Sequence, residues 1–124
     1  MKKTGLCDAA KAASKNSYSP YSKFPVGAAV ESEKGVFTGC NVENASYGLS
    51  VCAERSAIFA AVVAGARKIK RIAVYNPRKM PYPCGACLQV IGEFSSDDIE
   101  ILISSKKQTE SYRLSELLPQ RFTL

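Results

Sequence analysis

Histidine is missing from all 124 residues, and so is tryptophan. The first absence removes imidazole from every candidate site: no Ser–His pair, Cys–His pair or His-ligated metal can be built from this sequence. A metal here would rest on thiolates or carboxylates, and a proton shuttle on some other acid. No apolar run approaches the roughly 20 residues that a membrane helix needs, so no membrane partner is expected. The opening Met1-Lys2-Lys3-Thr4-Gly5 leads into alternating small and charged residues. An apolar h-region is not among them, so no secretory signal is read and a cytoplasmic protein is expected. Repeats, linkers and low-complexity segments are also lacking, and residues 1–124 are expected to form one domain.

What is present suits a globular fold. Hydrophobic residues make up 46% of the chain and aromatic residues 9%, which argues against disorder. Seventeen basic residues against eleven acidic ones give +6. Phosphate binding is the sharper use of such an excess, and solubility the plainer one. The basic residues are scattered, with no patch interleaved with aromatics, so no nucleic-acid partner is expected. Five cysteines is an odd count. In a reducing compartment they read as metal ligands or buried thiols rather than disulfides.

The patterning alternates helix and strand. Thr4 to about Lys15 reads as a helix with Leu6, Ala9, Ala10 and Ala13 on one face. Pro25–Glu31 and Val36–Val42 read as a hairpin about a turn at Glu33-Lys34-Gly35. Val51 to about Ala64 is rich in alanine and apolar almost all round, which predicts burial. Ile69–Tyr75 reads as a strand, 76–83 as a proline-rich loop and Cys84–Phe94 as a helix. Residues 95–98 read as a turn, Ile99–Ser104 as a strand and Gln108–Leu114 as a short edge strand. Ser115–Leu118 reads as one helical turn stopped by Pro119. This order predicts an α/β fold, a three-layer αβα sandwich around a mixed sheet of about five strands.

Three thiols carry the chemistry. Cys84 and Cys87 are three residues apart at a helix start, so both sulfurs share a face, at the end of the helix whose dipole favours thiolate. Cys52 opens the preceding helix. Three thiolates fill three corners of a zinc tetrahedron and leave the fourth for water, as catalytic zinc sites do. Glu54, two residues beyond Cys52, is the candidate proton carrier. A redox dithiol at Cys84 and Cys87 and a closed structural zinc site are the competing uses of these residues.

The conjunction of Cys52-Ala53-Glu54-Arg55 with Pro83-Cys84-Gly85-Ala86-Cys87 is the cysteine form of the zinc-deaminase signature. The chain resembles the small, single-domain cytidine deaminases nearly end to end. Tyr18 to Ala29, Gly39-Cys40-Asn41-Val42-Glu43-Asn44-Ala45 and Leu117-Leu118-Pro119-Gln120-Arg121-Phe122 also resemble segments of that family.

The resemblance implies one Zn²⁺ per subunit on Cys52, Cys84 and Cys87, with Glu54 catalytic. Zinc would lower the pKa of its water toward ~7, and Glu54 would carry protons to N3 and the amine of cytosine. Arg55 would hydrogen-bond to ligand sulfurs and drain their surplus charge; a surface arginine is the plainer reading. Asn41 and Glu43 match residues that bind a ribose hydroxyl. Phe24 and Ala53 match substrate contacts, and Phe122 matches a ring given by a neighbouring subunit of a homotetramer. Ala45 and Tyr47 rank lower. No 2′-hydroxyl contact is evident, so cytidine and deoxycytidine are both expected as nucleoside substrates, in pyrimidine salvage. Two features depart from the family: Leu88, where arginine is frequent, and the loop 76–82. A blasticidin-S or other modified-cytosine nucleoside deaminase is the alternative on the same scaffold. An enzyme editing RNA or single-stranded DNA fits this short chain poorly.

Overall fold

The computed structural model describes residues 1–124, apart from the side chain of Ser96. Its middle layer is a mixed sheet of strands β1 (Gly27–Ser32), β2 (Gly35–Cys40), β3 (Ile69–Tyr75), β4 (Ser95–Ser104) and β5 (Thr109–Arg113). Their spatial order is β2-β1-β3-β4-β5. β1 runs antiparallel to both β2 and β3, β3 and β4 are parallel, and β5 returns antiparallel to β4. The helices are α1 (Lys3–Ser14), α2 (Ala53–Val63), α3 (Gly85–Phe94) and the short α4 (Leu114–Leu117).

Alternation along the strands explains the three layers, because successive side chains point to opposite faces of a sheet. Val26, Ala28, Val30, Ile72, Val74, Ile99, Ile101 and Ile103 pack with Ala57, Ile58 and Ala61 of α2 and Ile91 of α3. Ala29, Ala73, Tyr75 and Leu102, in alternate positions, pack with Leu6 and Ala10 of α1. The predicted αβα sandwich with five strands is what the chain forms. Leu88 is buried in the first of these clusters.

Two glycines let helices lie directly on the hairpin. A Cβ at Gly27 would sit 1.9 Å from the carbonyl oxygen of Ala10, and one at Gly39 2.4 Å from the amide nitrogen of Ala57. Both are backbone atoms, so any side chain would push α1 or α2 off the sheet.

Several expectations change. α2 is not enclosed all round: Phe59 and Val63 are 46% and 88% exposed on its outer face. Residues 95–98 belong to β4 and do not form a separate turn. The ladder shifts there, with Ile69 opposite Ser95 but Arg71 opposite Glu100. Polar turn-forming residues in that stretch masked the strand. A 3₁₀ turn at Tyr47–Leu49 also went unread.

A charged row crosses the α1 face. Arg71 on β3 lies between Glu31 on β1 and Glu100 on β4, at 3.4 and 3.8 Å. Lys3 reaches Glu100 at 2.7 Å. Bonds from the amino-terminal ammonium and then Arg71 hold the Glu31 carboxyl below the usual range, and Lys3 chiefly does so for Glu100. A depressed folded-state pKa gives stability that is present above the unfolded value and lost as pH falls through the folded one. Arg71→Met is therefore expected to cost about 1 kcal/mol near neutral pH, with the difference shrinking as pH falls below the ordinary carboxylate range and through the lowered folded-state values. Urea unfolding at pH 7 and pH 3 reads this directly, and an equal cost at both would contradict it.

Candidate active site

Two helix N-termini converge at the carboxyl end of β3. Cys52 is the N-cap residue of α2 and Cys84 that of α3, both extended at φ −73° and −74°. Paired backbone hydrogen bonds between Val42 and Val51, both 3.0 Å, close the loop between them and deliver the chain to Cys52. Cys87 lies one turn into α3, and its amide donates to Cys84 Sγ at 3.5 Å.

The three sulfurs lie within 4.8 Å of one another, with Cys52 and Cys84 3.9 Å apart. Zn–S bonds of about 2.3 Å in a tetrahedron place sulfurs about 3.8 Å apart, so the set fits one zinc ion. A bond from the Cys87 thiol, with the Arg55 guanidinium, brings the Cys52 thiol down to about 5. The shared proton holds Cys87 up in turn. Arg55 Nη2 donates to Cys52 Sγ at 3.2 Å, while its buried Nε has no partner among the described residues. Cys7 and Cys40 stand outside this cluster, each half-buried.

Glu54 is 4% exposed. Burial pushes its carboxyl up to about 7, where an acid both takes and returns a proton near neutral pH. Cys52 and Glu54 reach the same cavity because both stand at the mouth of α2. That cavity is about 240 Å³, and Phe24, Asn41, Glu43, Ala53 and Cys84 line it as well. Phe122 does not: it is 69% exposed beyond α3, where its carbonyl accepts a bond from Gln89 at 2.9 Å.

Asn41 and Glu43 have local partners that the sequence did not disclose. Asn41 Oδ1 accepts from the Val26 amide at 2.9 Å and from the Ser17 hydroxyl, and its Nδ2 donates to the Phe24 carbonyl at 2.8 Å. One Nδ2 hydrogen remains for a ligand. Glu43 accepts from the amides of Tyr21 and Ser22, both at 3.0 Å, and from the Ser22 hydroxyl. That hydroxyl chiefly holds the Glu43 carboxyl below the ordinary range.

The sequence reading set the loop 76–82 apart as a departure from the family but gave no role to Asn76, Pro81 or Tyr82 within it. Asn76 is fully buried. It donates to the Pro25 carbonyl at 2.7 Å and accepts from the amides of Arg78 and Lys79, each at 2.9 Å. Arg78 reaches the Lys23 carbonyl at 2.5 Å. These bonds join the β3–α3 connection to the segment carrying Phe24. Pro81 and Tyr82 line the cavity beside Cys84. The only available signal was their place just before the Cys-x-x-Cys pair.

A three-layer αβα sandwich with three thiols and a buried carboxylate at one end is a fold with an open metal centre. The model of the cytidine and deoxycytidylate deaminase zinc-binding region matches residues 1–103. The cytidine deaminase of Sporosarcina psychrophila is 44% identical over 116 residues, 91% of this chain and 85% of that protein. That of Halalkalibacterium halodurans is 45% identical over 114 residues, 90% and 86% of the two chains. A crystal structure of cytidine deaminase from Burkholderia pseudomallei aligns at TM-score 0.92 with 44% identity, covering 98% of this chain and 100% of that one. The chain belongs to the cytidine and deoxycytidylate deaminase family and is a zinc-dependent enzyme.

Replacing Arg55 with Gln is expected to lower deaminase turnover by about tenfold or more. The purified variant should still contain zinc by elemental analysis. Turnover equal to the parent's would rule out a role for Arg55 at the sulfurs.

Proposed function

We propose that this chain hydrolyses cytidine and deoxycytidine to uridine and deoxyuridine, releasing ammonia, and serves pyrimidine salvage. The observation that carries this reading is the buried Glu54 carboxyl facing the same cavity as the thiols of Cys52 and Cys84. Cys52, Cys84 and Cys87 would hold one zinc ion per subunit. When bound, that ion supplies a water acidified toward neutral pH as the nucleophile for C4 of the base.

The remaining steps fall to side chains. Glu54 takes a proton from the water and delivers it to N3, so that the ring nitrogen receives the electron pair displaced by addition at C4. It then passes the second proton to the C4 amine, which leaves as ammonia. Water and cytidine thus become uridine and ammonia with no other reactant. Arg55, donating to Cys52 Sγ, offsets the net negative charge that three thiolates give a divalent ion.

Asn41 and Glu43 suit a sugar hydroxyl in particular. The free Nδ2 hydrogen of Asn41 donates, and the Glu43 carboxylate only accepts. A hydroxyl answers both at once. Phe24 packs its ring against the base, and Ala53 completes the cavity wall. Phe122 serves the site of a neighbouring copy in a homotetramer, which the exposed Phe59 and Val63 on α2 support. One domain over residues 1–124 and a cytoplasmic setting complete the reading, the latter supported by five free thiols. Among the described residues no helix is long and apolar enough to cross a membrane, and neither a membrane nor a nucleic acid is a proposed partner. The relatives are cytidine deaminases, which does not favour blasticidin S as the substrate.

Ammonia release from cytidine, deoxycytidine and blasticidin S, with zinc quantified in the same sample, tests the proposal. Glu54→Gln should lose about a hundredfold or more in turnover and keep its zinc. Release from blasticidin S alone, or full turnover by Glu54→Gln, would sink it.

A further inference from the structure

One wall of the cavity comes from a segment that the mechanism above leaves unused. Tyr82 lines it with Pro81, immediately before the ligand pair. Prolines on both sides restrict the backbone: Pro81 fixes its own φ, and Pro83 keeps Tyr82 out of the helical region. The side chain is held as well. Its hydroxyl donates to Glu110 Oε1 at 2.7 Å, and the hydroxyl of Tyr112 donates to the same oxygen at 2.9 Å. The two rings meet edge to face with centroids 6.3 Å apart.

Glu110 and Tyr112 are two residues apart on β5 and share a face. Tyr112 packs against the core beneath α2 and α3, so that face is the one under the active site. Glu110 therefore stands on the rigid sheet and reaches across to a loop residue 28 positions earlier. Tyr82 is 54% exposed. At that exposure, burial leaves the ring free to swing; the bond to Glu110 is what fixes its direction. The phenols hold the Glu110 carboxyl below the ordinary range, so the acceptor stays ionised through neutral pH.

We propose that Tyr82, clamped by Glu110, is a specificity-determining wall that meets the C5 edge of the cytosine ring and limits the size of the substituent carried there. The inference rests on the cytidine reading above. With Glu54 serving N3 and C4 turned to the sulfurs, the ring atom on the other side of C4 is C5. Ala53 and Glu54 enter the cavity from α2, whereas Pro81, Tyr82 and Cys84 enter from the β3–α3 connection. The C5 edge therefore falls to Tyr82. Glu110 is a positioning residue that acts through the tyrosine.

The test compares cytidine with 5-methylcytidine by kcat and KM in the zinc-loaded enzyme, and uridine with 5-methyluridine by calorimetric Kd. Tyr82→Ala is expected to raise the 5-methyl to unsubstituted ratio of kcat/KM by about tenfold, the scale of one methyl group in a fitted pocket. The ratio of the two Kd values should shift the same way. Tyr82→Phe and Glu110→Ala should move both ratios in that direction by less, because each frees the ring without removing it. Glu110→Gln keeps an acceptor oxygen and should restore the parent ratios. Unchanged ratios in Tyr82→Ala and Glu110→Ala, with cytidine still turned over, would overturn the inference and leave the parent reading intact. A uniform loss on all four compounds with a lowered Tm would assign the clamp to stability alone and also overturn it. Failure of the unaltered enzyme to act on cytidine would instead strike the parent reading and take this one with it.

Discussion

Sulfur takes the place of oxygen at two helix starts, and the centre depends on that substitution. An N-cap side chain ordinarily satisfies the free amides of the first turn, with serine, threonine, aspartate or asparagine supplying the acceptor. Here Cys52 and Cys84 hold those positions. Cys52 makes no side-chain cap bond, and Cys84 accepts only the long one from the Cys87 amide. Their lone pairs remain free for a metal, while the positive ends of two helix dipoles favour thiolate. A structure with its helix starts fully capped would have been more stable and would have had no such centre.

The sheet keeps those two starts in place. α2 lies on the hairpin at Gly39, where its backbone approaches within the distance a side chain would occupy. α3 is the crossover between parallel β3 and β4, so its first turn falls at the carboxyl end of β3. Ligands generally collect at that end of parallel strands. Asn41 and Asn76 then tie the surrounding loops together through bonds that use most of their capacity. The cavity is thus walled by segments that are far apart in sequence and short of flexible residues.

Much of this could be read in advance because it is local. Alternation placed β1, β3 and the isoleucine part of β4, and the two cysteine motifs placed the metal ligands and Glu54 beside one another. The open side of α2 was illegible because Phe59 and Val63 are as apolar as its buried residues; hydrophobicity alone does not say which face another surface covers. The start of β4 was hidden by serine and aspartate, which favour turns unless a neighbouring strand supplies a ladder. The clamp on Tyr82 depends on Glu110, and the anchoring of Glu43 on Ser22, across separations that no local pattern encodes. Phe122 matched its motif, yet it lies outside the cavity of its own chain.

The β3–α3 connection has a consequence for how such an enzyme diversifies. A single short run of chain carries Cys84, one wall of the cavity and, through Asn76, the link to the opposite wall, and it leads directly into the turn of α3 that holds Cys87. Cys84 and the wall formed by Pro81 and Tyr82 ride on the same run, so a shift of one is carried to the other. A point substitution at Pro81 or Tyr82 can reshape that wall while leaving Cys84 in place.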